Sequence, residues 1–446
     1  MRILHFCNYA EVIGGAEVYA HGLVESLRSR GHDVALFGAS PEGEIDRAGL
    51  RVIQRPLYDR DRLVQDPAAL AALRDYLQRF APDVVHVHNV FSVALGVLQH
   101  LGTQGIPLLQ TVHDFQLLCP NSWCVRGDGQ PCPGGAGAQC FQHGCQSNYP
   151  YDAWGVLLSS LRQRWLSTCT GIAVAPSAYL VERLRAHGWS DVRHLPYFID
   201  FPPPSRPVPR SSHELLYVGR IEPEKGVPVL LRALPEISAS LPEVRLTVVG
   251  GGSQLSELRA LADRLGIAAR LRTLQKIPRT EIAEHYARAA LCILPSLWTE
   301  NSPLVAYECL TSGLPMAGSR LGGIPELLEG GCGITFHPGD PRDLARVVID
   351  HLRLPLAQRE RMSAACRERA RAFEREHHVD AVVQLYEELR HRPTPATRTP
   401  PELSPDGLAM LHQVGLQQAP GDGRSQAPLE VLRAIARSLG LPKVLR

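Results

Sequence analysis

The sequence predicts an α/β protein built as two doubly wound domains, and three observations carry the prediction. Short apolar runs alternate with helical patterns from Ile3 to about Asp200. A stretch dominated by proline, "FPPPSRPVPR" at 201–210, then breaks the pattern, and the same alternation resumes at "ELLYVGR". Strands that alternate with helices pair in parallel and are covered on both faces. The proline run is the semi-rigid, extended connection between the two halves.

In the first half, residues 1–200, the strands are "RILHFCN", "HDVALFG", "DVVHVHN", "PLLQTVHD" and "GIAVAPS", with helices at Ala16–Arg30 and Ala68–Phe80. In the second, residues 211–375, they are "ELLYVGR", "RLTVVGG", "LRTLQKI", "LCILPS", "PMAGS" and "CGITF". Helices fall between them at Val227–Ile237, Gln254–Leu265, Glu281–Ala289, from Pro303 onward, and at Leu344–Leu352. A charged helical sequence runs from Leu356 to Arg390, and residues 376–392 are expected to pack back as a terminal helix. Beyond Pro393 the composition turns to Pro, Thr, Gly and Gln, which predicts a largely disordered tail, 393–446, with a short amphipathic helix at Leu429–Leu439.

A chain of 446 residues has room for two domains of ordinary size and their connections. With 21% charged residues and a net charge of +2, there is no global basic field, so nucleic acid is not expected as a partner. No apolar run approaches the roughly 20 residues of a membrane span. The start, "MRILHFCNYA", enters a strand at once without the regions of a secretory signal. These features predict a cytoplasmic protein whose 11 cysteines are mostly reduced.

Ligands of doubly wound sheets gather outside the carboxyl ends of the strands. Four loops there hold permissive or reactive residues. After the first strand, Gly14 and Gly15 let backbone approach a ligand closely, and the following helix offers its N-terminus to phosphate. The stretch is not GxGxxG, and no acidic residue follows the second strand at ribose-binding distance, which speaks against a dinucleotide. A plain tight turn is the alternative. In "TVHDFQLLCP", His113 and Asp114 are either a structural pair or a substrate contact. In "YVGRIEPEKGV", Arg220 and Lys225 can grip a diphosphate, or can be surface bases beside Glu222 and Glu224.

The fourth loop is "PSLWTENSPLVAYECLTSGLP" at 295–315. Ser302 reads as an N-cap, Pro303 as the first helical residue, and Gly313 followed by Pro315 as the stop. Glu300 in the entering loop and Glu308 on the second turn then bracket the amides of Leu304 and Val305, where the helix gathers partial positive charge. That is an anion site with an acid on either side. "SRLGGIPELL" follows it, and its Gly322-Gly323 turn again permits close approach.

Taken together, "GGAE" at 14–17, "HD" at 113–114, "GRIEPEKG" at 219–226, "ENSPLVAYE" at 300–308 and "GGIPEL" at 322–327 resemble the retaining GT-B glycosyltransferases of family 4, group 1, marked by a Glu-x7-Glu motif. The resemblance covers residues 1 to about 390. It implies two Rossmann-like domains facing each other across a cleft, the first on the acceptor side, and a nucleotide-diphosphate sugar as donor. By position it implies that Arg220 and Lys225 hold the diphosphate, with the amides of Leu304 and Val305. Glu300 would bind donor-sugar hydroxyls, Glu308 the ribose, and His113 the reacting sugar, while Gly15 approaches the diphosphate. Gly14, Asp114, Asn301, Ser302 and Pro303 complete the implied substrate contacts. Asn301-Ser302-Pro303 replaces the Gly-Phe-Gly common in that family, so the backbone contacts there differ. No metal or other cofactor is implied, and the acceptor is a glycan, a lipid-linked sugar or a small molecule. The same residues leave open a nucleotide-sugar epimerase of this fold and a non-catalytic nucleotide-sugar-binding protein.

Two stretches fall outside the motif. The insertion at 115–150 holds Cys119, Cys124, Cys132, Cys140 and Cys145, spaced by four, seven, seven and four residues. A structural zinc and free thiols in a loop beside the acceptor are the two readings, and the lack of any CxxC pair weighs against zinc. In "WGVLLSSLRQRW", Trp154, Leu157, Leu158, Leu161 and Trp165 form one helical face beside Arg162 and Arg164. Core packing explains that stripe, and peripheral contact with the inner face of a membrane is the alternative.

Overall fold

The computed structural model describes residues 1–56, 62–132, 134–137, 139–143, 145, 153–205, 208–275 and 277–392. The tail at 393–446, including the helix read at Leu429–Leu439, lies outside the described residues. The chain divides into two compact units, Met1–Leu195 with the chain from Val379, and Pro196–His378.

Strand β1, Arg2–Tyr9, is buried at seven of its eight positions, as a strand covered on both faces must be. It pairs on one side with β2, Asp33–Ser40, and on the other, after β3 (Ile45–Arg47) and β4 (Leu50–Gln54), with β5, Val84–Val87. With β6, Leu108–Thr111, β7, Ile172–Ala175, and β8, Val192–His194, the sheet order is β3-β4-β2-β1-β5-β6-β7-β8. Only β3 runs antiparallel to its neighbour among these pairs. β3, β4 and β8 are short or half-exposed and carry no apolar run, so they were not legible as strands.

The second unit holds β9 (Glu214–Val218), β10 (Arg245–Val249), β11 (Leu271–Leu274), β12 (Leu291–Leu294), β13 (Met316–Ser319) and β14 (Gly333–Phe336). All pair in parallel, in the order β11-β10-β9-β12-β13-β14. Reversals at β1 and β9 place loop residues in the crevice outside the strand ends. The predicted architecture of two doubly wound sheets holds.

Side chains satisfy the first free amides of the helices at Pro67–Phe80, Ala178–Ala186 and Pro341–Leu352. Asp66 accepts from the Ala69 amide before α2, Pro67–Phe80, after α1, Gly15–Ser29, has begun behind Gly14. Leu95–Thr103 forms α3 and Gln139–Gln142 the short α4. Helix α5, Ala153–Cys169, buries Leu157, Leu158, Leu161 and Trp165, and the buried Arg162 donates to the Val93 carbonyl at 2.9 Å. These four apolar side chains therefore pack in the core. No helix among the described residues is long and apolar enough to cross one.

The charged helical sequence from Leu356 folds as two helices. After α6 to α12 (Ala178–Ala186, Val227–Ser240, Leu255–Arg264, Arg279–Arg288, Leu304–Thr311, Ile324–Leu327 and Pro341–Leu352), α13 runs Leu356–Ala370 and α14 runs Arg375–His391. A turn at Arg371–Phe373 and extended Glu374 separate them, because Phe373 is buried edge-on against Tyr307 at 4.8 Å. Within the first unit, Tyr386 of α14 reaches His86, and Glu388 takes a two-pronged ion pair from Arg193 at 2.6 Å.

Ser302 is not the cap of α10. Pro303 holds the cap position in extended backbone, no side chain caps the helix, and the Ser302 hydroxyl lies 2.6 Å from that of Tyr307. The sequence rule fails here because a tertiary partner competes for the hydroxyl. The helix end follows the reading, with Gly313 left-handed at φ +62 just after Ser312.

Candidate functional site

Backbone packing at the strand ends of the second unit builds its site. The loop after β9 carries Arg220, passes through a tight turn at Pro223–Lys225, and reaches Gly226 at φ +67. A Cβ on Gly226 would lie 1.9 Å from the Pro295 carbonyl, so only glycine lets this loop rest on the one after β12. The Leu297 amide donates to the Glu224 carbonyl at 2.8 Å and fastens the same two loops. From the far side, Gly322 at φ +57 comes so close that a Cβ would sit 1.9 Å from the Glu300 carbonyl, and the Gly323 amide donates to that carbonyl at 2.8 Å. Glu300 is thus held by backbone from both directions.

This packing joins Lys225 and Glu300, 75 residues apart, with Nζ 2.6 Å from Oε1. The Ser296 hydroxyl donates to the same oxygen at 2.8 Å, and the ammonium lies 4.7 Å over the Trp298 ring. Glu300 is buried, which raises its pKa, but Lys225, Trp298 and Ser296 outweigh burial and hold it below the usual carboxylate range. It is a carboxylate at neutral pH. Four residues on, the amides of Leu304 and Val305 begin α10 with no partner among the described residues.

Glu308, on the second turn, accepts from the buried Tyr286 hydroxyl at 2.6 Å. Burial and the neighbouring Glu308 hold that phenol protonated, so it is a donor. The two acids of the motif are therefore served by different partners. Arg220 is not drawn into the Lys225–Glu300 pair: its exposed guanidinium lies 2.9 Å from Glu224. Asn301 and Ser302 are buried and Pro303 is half-buried, so Ser302 is a support for Tyr307 in this arrangement. Ser296, Trp298 and Tyr286 were missed in the sequence, where a lone Ser, Trp or Tyr gives no signal.

In the first unit, the Gly14 amide donates to Glu17 at 2.9 Å and Gly15 opens α1. Glu17 is buried and its pKa is raised by that burial. Val12 and Ile13, just before, are exposed at 57% and 51%. His113, at the end of β6, is buried and its pKa is pushed down to about 3 by burial, so it is a neutral imidazole. Asp114 is half-buried, accepts from the Gln116 amide at 2.8 Å, and is pushed up to about 6 by burial, with Glu17 adding to the shift. The structure also gathers His5, His86 and His88 beside His113, residues that the sequence reading passed over. His86 lies on β5 and His88 just past its end, and register pairs His86 with His5 of β1. Two histidines at i and i+2 of one extended run were the available signal.

The insertion's cysteines stay free thiols, with Cys119, Cys124, Cys132 and Cys140 buried. Cys119, Cys132, Cys140 and Cys145 line one small cavity, yet no three of the insertion's thiols come within 4.8 Å of one another among the described residues. That spread does not match a preformed tetrahedral zinc site.

Residues 203–371 match the family model of the glycosyl transferases group 1, and residues 13–201 that of glycosyltransferase family 4. A D-inositol 3-phosphate glycosyltransferase of Corynebacterium jeikeium is 28% identical over 417 residues, 84% of this chain and 92% of that protein. Among solved structures, a sucrose-phosphate synthase of Thermosynechococcus elongatus aligns at a TM-score of 0.67 and 21% identity, over 87% of this chain and 99% of that one. Anabaena HepE in complex with UDP-glucose aligns at 0.62 and 17% identity, over 87% and 100%. At these identities the solved structures establish the fold alone.

Proposed function

Since the chain belongs to the glycosyltransferases of family 4, group 1, and has their GT-B fold, we propose that it moves a sugar from a nucleoside diphosphate donor to a carbohydrate or lipid-linked acceptor with retention of anomeric configuration. The observation that carries the reading is the Lys225–Glu300 pair, joined at 2.6 Å just before the uncapped start of α10. An ammonium and two unpartnered amides suit a diphosphate, and a carboxylate kept ionised beside them suits hydroxyls.

Lys225, Arg220 and the amides of Leu304 and Val305 hold the diphosphate and stabilise the charge that grows on it as the glycosidic bond breaks. Arg220 does so by leaving Glu224, which its exposure permits. Glu300 accepts from donor-sugar hydroxyls, and Glu308, oriented by Tyr286, accepts from the ribose. Asn301, Ser302 and Pro303 shape the loop around the donor. Gly14, Gly15, His113 and Asp114 are the first unit's candidates for contact with the diphosphate and the sugar.

A double displacement needs a carboxylate at the anomeric carbon. Glu300, tied by Lys225 and Ser296, is better suited to hold hydroxyls, and His113 is too weakly basic to take the acceptor's proton. Front-face transfer, with the leaving phosphate oxygen taking that proton, fits both facts. These cations do the electrostatic work that a metal does elsewhere, so transfer is expected to survive a chelator. The test is Glu300→Gln, which is expected to lose most activity, with intact-protein mass spectrometry of the wild type under turnover. A sugar adduct on the wild-type chain would overturn the front-face reading.

A further inference from the structure

The second unit has a further cavity, of about 380 Å³, lined by Arg210, Arg359 and Arg367. Ala290 and Pro315, which also line it, immediately precede β12 and β13, so it opens at the amino ends of those strands. The Lys225–Glu300 pair lies in loops at the carboxyl ends of β9 and β12, on the opposite edge of the same sheet. Arg359, Ser363 and Arg367 recur every four residues of α13 and therefore share one face of it.

Arg210 is fixed in place: Nη1 donates to the Ala289 carbonyl at 2.9 Å and Nη2 to that of Ser312 at 3.0 Å. Gly313, the next residue, is left-handed and leaves no room for a Cβ beside the Arg367 guanidinium. Both cations thus meet the C-terminal end of α10, where positive charge suits the helix dipole. That end accounts for Arg210 but not for the other two. Elsewhere in this unit Arg220, Arg346 and Arg371 pair with Glu224, Asp343 and Glu368, whereas Arg210, Arg359 and Arg367 make no ion pair among the described residues. Arg359 Nε is moreover buried without a hydrogen-bond partner among them, and an unmet buried donor is costly. Glu360 is the one carboxylate of the lining, so three positive groups and one negative leave a formal charge of +2.

We propose that this cavity binds a small phosphomonoester such as a sugar phosphate, whose phosphate is gripped by Arg359 and Arg367 beside the anchored Arg210. Guanidinium forks match phosphate oxygens, and the lining charge matches the dianion that a phosphomonoester carries near neutral pH. A carboxylate ligand would neutralise only half of it. The volume is that of a small-molecule site and leaves room beyond the phosphate for an organic remainder, whose hydroxyls can donate to Glu360. The site is separate from the Lys225–Glu300 loops, and its occupancy does not rest on the glycosyl-transfer reading.

Titration calorimetry of the full chain with ribose 5-phosphate, inorganic phosphate, ribose and vesicles carrying phosphatidic acid tests this. Ribose 5-phosphate is expected to bind at one site per chain and more tightly than inorganic phosphate, and ribose not to bind. Arg359→Gln and Arg367→Gln keep a long polar side chain on α13 and should each weaken ribose 5-phosphate by about tenfold or more, the loss of one charge-assisted bond. Lys225→Ala should leave that affinity unchanged, which separates this cavity from the diphosphate site proposed above. No heat with millimolar ribose 5-phosphate on the wild type, which needs no variant to fold, overturns the proposal. So does full affinity in both arginine variants, loss of affinity in Lys225→Ala, or binding to the vesicles alone. None of these results touches the glycosyl-transfer reading, which stands or falls on product formation from nucleotide sugars.

Discussion

The two units place their candidate residues at equivalent points, the carboxyl ends of parallel strands, and solve the problem of burying polar groups in opposite ways. In the second unit Glu300 keeps its charge and is matched by Lys225 at 2.6 Å. In the first, His5, His88 and His113 give up charge and satisfy one another as neutral rings. A buried charge needs a partner of opposite sign, while imidazole can shed its proton near neutral pH. The charged site therefore keeps a carboxylate and an ammonium side by side, while the neutral one adds no charge of its own.

Breaking the charged side should have the largest effect. Glu300→Gln leaves Lys225 without its counter-ion and removes a hydroxyl acceptor, and transfer rate should fall by about 100-fold or more, the scale of losing one preorganised group. Initial rates at saturating donor measure it. Next is the backbone that holds Glu300. Gly322→Ala puts a Cβ against the Glu300 carbonyl from a left-handed φ, and should cost about 1–3 kcal/mol in urea unfolding.

The neutral side is exposed by acid. Each imidazole has its folded-state pKa held below the ordinary 6.5, so its contribution is complete above pH 6.5. Below that the unfolded chain takes up protons that the fold refuses, and stability falls as pH drops. His88→Asn removes one such ring, so the slope of stability against pH between 4 and 6 should lessen by about 1.4 kcal/mol per pH unit, one proton's worth. The smallest effect is expected at Glu308. Tyr286→Phe removes one hydrogen bond to it, worth about 0.5–1.5 kcal/mol, and should raise donor KM within about tenfold while sparing kcat.

The sheet order's main strands, the strand-end loops and the motif residues were legible because each is written locally, in apolar runs, glycines and a Ser-Pro before a helix. What was not legible depended on pairing distant segments. Nothing near Lys225 says that it will meet Glu300 rather than Arg220's neighbour Glu224, because that is decided by Gly226 resting on Pro295. Ser302 was misread as a cap since Tyr307 claims its hydroxyl. His5 and His86 were hidden in ordinary strands, His88 just past the second of them, and the register of β1 on β5 brings His5 and His86 together. The cysteine insertion could be counted but not arranged. With four of its thiols buried, they should react with a thiol reagent only on unfolding, and one bound zinc per chain in metal analysis would contradict that arrangement.

The central claim is that the second unit's charged site holds a nucleoside diphosphate sugar, and thermal stabilisation tests it most directly. Wild type, Lys225→Ala and Glu308→Ala would be melted with UDP-, GDP-, ADP- and dTDP-sugars in turn. One nucleotide family is predicted to raise the wild-type melting temperature and to do so far less in both variants. No shift with any of them, or an equal shift in Lys225→Ala, would contradict the claim.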